Sequence, residues 1–181
     1  MVVSVGLAIM ISLMRNKRAS KVYQTMMFFP YFMSWVVASY FLDAFLNQNN
    51  GLINNMLRNS GQQPIQWYMT AGAWPAILTF MYLWKSTGYN MVIYLSSISG
   101  IDTTLYEAAV MDGANKRQQV FHITLPCLKN VIIMMFILNV GKIFYSDFGL
   151  FYQLSQGASG SIFKTTATID TYIYLSLIHI S

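Results

Sequence analysis

The side chains able to do chemistry are few and mostly alone. Six acidic residues, two histidines and one cysteine are spread over 181 residues. His122 has no second His, Cys or carboxylate at ligand spacing, so no metal site is expected. Cys127 stands alone, which excludes an internal disulfide framework and any multi-cysteine metal centre and reads as a structural thiol. Ser34 and Ser96 lack a convincing base, so an intramembrane hydrolase is a poor fit and no catalytic residue is assigned. No Gly-x-x-x-x-Gly-Lys-Ser/Thr loop occurs, so the chain is not itself an ATPase of that type. The remaining chemistry is that of contact: Glu107 in a patterned polar loop, and Lys85 within an apolar run.

The elements that position these groups belong in an apolar medium. Hydrophobic residues make up 55% of the chain, charged residues 9%, and the mean hydropathy is +0.45. A soluble domain carries about 25% charged residues to solvate its surface, so this deficit excludes a disordered chain and indicates a surface facing lipid. Thirteen methionines and 15% aromatic residues fit that class, because Trp and Tyr gather at membrane interfaces and Met packs adaptably. The net charge of +5 follows from basic residues in cytoplasmic loops and calls for no nucleic-acid partner.

Apolar runs occupy residues 1–14, 25–46, 73–98 and about 123–145, and a fifth begins near Ala167. Crossing about 30 Å of hydrocarbon takes about 20 helical residues, which runs 25–46 and 73–98 exceed. The first run reaches only about 21 Å. Its basic cluster, Arg15, Lys17, Arg18 and Lys21, follows the apolar stretch, unlike a signal peptide, so the chain is expected to begin inside a helix. Backbone groups in lipid must pair within their own segment, and long unalternating runs cannot close a β-barrel, so the fold class is an all-α polytopic transmembrane bundle. Keeping residues 15–21 cytoplasmic places loop 47–72, with Arg58, outside and loop 99–122, with Lys116 and Arg117, inside. Lys129 snorkels to the inner face, while Lys164 and Lys142 fall outside. No repeat, linker or separate catalytic domain is evident.

The inner loop, residues 100–130, reads GIDTTLYEAAVMDGANKRQQVFHITLPCLKN. Asp102 stands where an N-cap belongs, 103–111 is rich in helix formers, and Gly113 supplies a stop or left-handed turn. A second short helix is expected after Asn115, with Val120, Phe121 and Ile123 on its apolar face, and Pro126 marks the start of the next membrane helix. Two short helices at a sharp glycine turn form a knob that another protein can grip; an ordinary helical loop has the same spacing.

The residues narrow that choice. Glu107-Ala108-Ala109, three residues, Gly113, nine residues, Ile123, one residue and Leu125-Pro126 resembles the EAA signature of permease subunits of ATP-binding-cassette importers. The resemblance extends to Phe29-Pro30-Tyr31 with Ser34-Trp35-Val36-Val37, to Trp84-Lys85 with Gly88 and Tyr94-Leu95, and to 147–152 (DFGLFY) with Asp170-Thr171-Tyr172. Together these look like the sugar-importer branch, and specifically the polysaccharide or aldouronate-type permeases.

The resemblance implies a six-helix core truncated here at both ends, with residues 1–174 as a partial transmembrane permease domain and the coupling loop at about 100–126. Residues 175–181 (LSLIHIS) depart from the family pattern and are expected to be a non-native tail, so His179 is given no role. The implied activity is import of oligosaccharides or polysaccharide-derived sugars by a non-enzymatic, multi-pass subunit in a bacterial plasma membrane. The implied partners are a second permease subunit in a heterodimer, two cytoplasmic ATP-binding subunits and an extracytoplasmic solute-binding protein. ATP and Mg belong to the ATPases, so this chain carries no cofactor. Helix 103–111 would seat in a cleft of the ATPase, with Glu107 making polar contacts, Gly113 permitting the turn, and Ala108, Ala109, Asp112, Ile123, Leu125 and Pro126 completing the loop. That loop faces the motor and not the cargo, so a permease for amino acids or phosphate would share it. A non-transporting scaffold would leave the match to chance.

Lys85 is a separate problem, because an uncompensated lysine in mid-membrane costs roughly 2.5–3.5 kcal/mol on insertion scales. It must face protein or water. A translocation path shared with Trp84 and Tyr89, a pair with a carboxylate, and snorkelling to the boundary all satisfy that requirement. The neighbouring rings, Tyr82 included, can stack on sugar faces or simply pack. Asp43, near the outer end of its helix, can reach the interface.

Overall fold

The computed structural model describes residues 1–142, 146–156 and 162–180, with backbone alone at 164 and 178–180. The end of the fourth apolar run at Tyr145, the side chains of Lys164 and His179, and Ser181 lie outside the described residues. Among those described, all regular structure is helical: α1 (Val2–Ser12), α2 (Lys17–Phe32), α3 (Trp35–Leu46), α4 (Leu52–Asn59), α5 (Trp74–Ser99), α6 (Thr103–Met111), α7 (Lys116–Gln119), α8 (Leu125–Gly141), α9 (Phe163–Thr166) and α10 (Ile169–Ile180). Short 3-10 turns at Trp67–Met69 and Ala71–Ala73 precede α5, and π-helical turns occupy Val120–Thr124 and Gly149–Gln153. The all-α expectation holds.

Three elements differ from expectation. Run 25–46 is not one continuous span but two helices, α2 and α3, separated at Met33 and Ser34. Pro30 removes an N–H from the last turns of α2, and Ser34, extended at φ −66° and ψ 156°, accepts the Val37 N–H through its side chain and starts a new helix. The short helix expected after Asn115 is not free-standing. It runs through the π-turn into α8, so helical structure is continuous over Lys116–Gly141. Pro126 has no N–H to give the preceding turn, and the wider turn at 120–124 accommodates it without a break. The third difference concerns α5, which has the length to cross a membrane but not the apolarity. Lys85, Ser86, Thr87 and Asn90 dilute its 26 residues. Among the described residues, Lys116–Gly141 is the one stretch both long and apolar enough, with mean hydropathy 1.9, while α2 and α3 qualify only as a broken span. Its apolar window is just 17% buried, so most of that surface is left uncovered by the described residues.

The chain forms two compact units, Met1–Phe32 with Trp84–Ile143 and Met33–Leu83 with Phe144–Ser181. In the first, α1, α5 and α8 pack through Ala8, Ile11, Met91, Tyr94 and Met135. Helix α2 meets α5 where Gly88 lies against the Met27 and Phe28 backbone: a Cβ there would stand 1.8 Å from the Met27 carbonyl oxygen. Only a glycine permits that approach, and close backbone packing is what holds helices together in lipid, where apolar burial alone gives no preference for a neighbouring helix.

In the second unit, α3 packs against α4 and against the π-turn 149–153, and α9 packs against the 71–73 turn. Ala38, Leu42, Leu46, Trp74, Leu78, Leu150 and Leu154 are buried. The loop after α3 is fastened by polar groups. Fully buried Asn54 donates to the Asn47 and Ile65 carbonyls at 3.2 and 2.9 Å and accepts the Ile65 N–H at 2.9 Å. Arg58, the basic residue of the loop read as outer, donates to the Gln48 and Asn49 carbonyls at 2.7 and 2.6 Å. Its charge therefore serves the loop's own backbone.

Candidate functional site

Asp102 caps α6 by accepting the Thr104 N–H at 2.9 Å. That hydrogen bond holds its carboxyl below the usual carboxylate range. The other end closes with two backbone bonds, Gly113 N–H to Val110 at 3.0 Å and Ala114 N–H to Ala109 at 2.8 Å. This pair is a Schellman closure, and it places Gly113 at φ +78°, the left-handed region that a side chain disfavours. No residue of α6 is buried, and Leu105, Val110 and Met111 expose 47%, 57% and 87% of their surface. Glu107 and Ala108 are exposed with them. Glu107 has no hydrogen bond or ion pair among the described residues.

Helix α7 opens with a capping box: Asn115 accepts the Gln118 N–H at 2.9 Å, and the Gln118 side chain accepts the Asn115 N–H at 2.8 Å. Tyr106 on α6 and Thr124 on the π-turn share a hydroxyl contact of 2.9 Å, tying the loop's two arms together. Ala109, Asp112, Gly113 and Ile123 then line one depression of about 320 Å³ together with Gln118 and His122. Glu107, Ala108, Leu125 and Pro126 are not on its walls. The loop's patterned residues therefore divide between an exposed helix and a small concavity beside it. His122 bonds to the Gln118 carbonyl within its own helix at 3.0 Å, and no group of metal-ligating side chains occurs among the described residues.

Lys85 meets a partner that none of the three sequence readings named. Its Nζ donates to the Tyr31 carbonyl at 3.2 Å. The last carbonyls of a helix have no partner within it and carry the negative end of its dipole, so an ammonium beside the final turn of α2 satisfies both groups. Tyr89, one turn further along α5, stacks on Tyr31 at 4.6 Å and 13°, and Phe28 continues the stack at 5.7 Å. Tyr89 keeps 39% of its surface exposed, and Trp84 is half-buried.

Two arrangements in the second unit escaped sequence reasoning. Trp35 Nε1 donates to Asp147 Oδ2 at 2.9 Å across 112 residues, joining two of the motifs that carried the resemblance. The Trp35 ring also lies where a Cβ at Gly149 would stand, 2.5 Å away. Their placement in separate motifs was the available signal, but spacing gave no pairing. Asp43, expected simply to reach the interface, accepts Asn47 and Gln156 side-chain amides, each at 3.2 Å. Burial, with the Asp43 carboxylate nearby, pushes the Tyr68 phenol up from its ordinary value.

Comparison with known proteins places these features in context. The model of the family described as binding-protein-dependent transport system inner membrane component matches residues 4–175. The polygalacturonan/rhamnogalacturonan transport system permease protein YteP of Bacillus subtilis (strain 168) is 32% identical over 172 residues, covering 95% of this chain and 53% of that protein. A bacterial ABC transporter involved in the import of the acidic polysaccharide alginate has a chain that superposes with a TM-score of 0.86 at 30% identity, over 95% of this chain and 59% of that one. A second structure of the alginate transporter, in complex with alginate pentasaccharide-bound periplasmic protein, superposes with a TM-score of 0.85 over the same shares. The chain thus spans little more than half the length of the proteins it matches.

Proposed function

The chain belongs to the family of binding-protein-dependent transport system inner membrane components, and from that premise we propose that it is part of a permease subunit of an ATP-binding-cassette importer. It carries no cofactor and catalyses no reaction. Two cytoplasmic ATPases hold ATP and Mg, a second permease completes the channel, and an extracytoplasmic solute-binding protein delivers the cargo. The subunit is a multi-pass protein of the bacterial plasma membrane, and residues 1–174 belong to its transmembrane domain. The cargo is an oligosaccharide or a polysaccharide-derived sugar, a reading supported by similarity to proteins named for polygalacturonan and alginate.

The observation that carries the reading is α6: a nine-residue capped helix with no buried residue, exposing apolar side chains around a free carboxylate. A surface of that kind fits a partner's cleft. Glu107 and Ala108 face the ATPase, Ala109, Asp112, Gly113 and Ile123 form the adjoining concavity, and Leu125 and Pro126 join the loop to α8. Closure of the ATPase dimer on ATP drives the helices between inward and outward access through this contact. Trp84, Lys85 and Tyr89 lie along the sugar's path, where the Tyr31–Tyr89 stack offers ring faces beside an ammonium.

The test is Glu107→Lys in the complete protein with its partner subunits, beside Gly113→Val. Glu107 has no hydrogen bond or ion pair among the described residues, so its reversal reads docking rather than folding. Uptake into vesicles and substrate-stimulated ATPase activity should both fall while membrane insertion stays at the unmodified level. Unchanged transport and ATPase activity in both variants would refute the coupling role.

A further inference from the structure

We propose that the first unit holds a binding site for a phosphate-bearing anion, supplied by the headgroup of an anionic phospholipid, in the cavity bounded by α1, α2, α5, α6 and α7. The cavity measures about 640 Å³. Lys17 and Lys21 at the start of α2 and Lys116 at the start of α7 line it, and among the described residues no carboxylate does. Among the described residues no acidic side chain holds any of the three. Lys116 Nζ donates to Gln119 Oε1 at 3.3 Å, and Gln119, only 4% exposed, is itself anchored through Nε2 to the Ala114 carbonyl at 3.0 Å. One wall is therefore a preset polar surface.

Three ammonium groups around one cavity repel each other unless an anion lies between them, and phosphate oxygens accept such donors strongly. The rest of the lining selects the source. Ile11, Val92, Leu95 and Ile98 give the cavity an apolar side along α1 and α5. A soluble phosphate has no use for that side, whereas a phospholipid has an acyl chain to lay on it. The three lysines belong to the loops placed on the inner face, where a basic recess between membrane helices meets headgroups. Because α6 and α7 form part of the wall, an occupied cavity braces the coupling loop against α1, α2 and α5. The inference rests on the membrane placement proposed above and not on transport.

The experiment uses the complete protein with its partner subunits, in nanodiscs of phosphatidylcholine with or without phosphatidylglycerol. Lipid retained after detergent extraction is read by native mass spectrometry, so failure of the transport reading and failure of this one are separate results. Phosphatidylglycerol should be retained preferentially. The triple variant K17Q/K21Q/K116Q should lower its retention about tenfold or more, because it removes the charged donors that line the cavity. The charge-matched triple R15Q/R18Q/R117Q, whose residues do not line the cavity, should change it clearly less, and K17R/K21R/K116R should restore it. Photoreactive phosphatidylglycerol on the unmodified protein should label peptides from α1, α2 and α5 at this cavity, which keeps the test independent of whether the glutamine variant assembles. Equal loss in the two charge-matched triples, no preference for phosphatidylglycerol, or labelling elsewhere would overturn the proposal. Inorganic phosphate that displaces the lipid and is held in its place with the same lysine dependence would overturn the lipid as the source.

Discussion

Gly88→Ala is the sharpest probe of the fold. The added Cβ would stand 1.8 Å from the Met27 carbonyl oxygen, 2.5 Å from its carbon and 2.9 Å from Phe28 Cα, while ordinary contact begins at 3.4 Å. All three obstacles are backbone, which cannot swing aside as a side chain can. Relief requires α2 and α5 to part by roughly 1.6 Å, taking the Lys85–Tyr31 hydrogen bond and the Tyr31–Tyr89 stack with them. Overpacking costs about 1–3 kcal/mol, and rigid obstacles put this site at the upper end. Replacing a helical glycine by alanine returns about 1 kcal/mol, leaving a net loss of about 2 kcal/mol. Gly6 in α1 is the control, because nothing lies within 4 Å of its Cβ position; Gly6→Ala should gain up to about 1 kcal/mol. Thermal denaturation of the complete protein in detergent should show Gly88→Ala lowered by about 3 °C and Gly6→Ala unchanged or raised. A Gly88→Ala protein as stable as the Gly6→Ala protein would refute the close crossing of α2 and α5.

The remaining predictions concern loop placement, capping and the long-range pair. In a Cys127-free background, cysteines at exposed Ser60 and Met111 should be labelled by an impermeant thiol reagent from opposite faces of the membrane; labelling of both from one face would reverse or cancel the topology. Because Asp102 titrates below its ordinary range, its contribution to α6 is complete above the unfolded carboxylate value and is lost as pH falls through the lowered folded value. Amide protection factors in 103–111, which compare exchange with its intrinsic rate at each pH, should therefore fall on acidification, and Asp102→Asn should remove that dependence. Trp35→Phe should cost at least about 1.5–3 kcal/mol, the worth of a hydrogen bond to a charged acceptor, and should destabilise less in an Asp147→Ala background, where that bond is already absent and only ring packing is lost.

Legibility followed the range of the interaction. Helix α6 and its ends were readable because their determinants are local: Asp102 before the first turn, Gly113 after the last, and helix formers between. The break at Met33 and Ser34 had local determinants too, Pro30 and Ser34, yet hydropathy outweighed them because both lie inside an apolar run. Pro126 misled in the opposite direction. A proline at the start of a span reads as a boundary, but a π-turn carries the helix through it. The Trp35–Asp147 bond, the Asp43–Gln156 bond and the Gly88 crossing were illegible in kind. Each joins segments far apart in sequence, and periodicity carries no information about pairs.

The loop also shows why a matching motif must be divided between fold and function. Gly113 would be required at φ +78° by the Schellman closure of any helix that stops here, so its presence says only that α6 ends sharply. Pro126 is likewise accounted for by the π-turn that carries the helix through it. Glu107 is different. It caps nothing, pairs with nothing among the described residues and stands exposed among apolar neighbours. No demand of this chain's own folding selects a carboxylate at that point. The part of the pattern that folding leaves unexplained is the part that the proposed docking would explain, and for that reason Glu107→Lys weighs more heavily than Gly113→Val in deciding whether the loop couples to a motor.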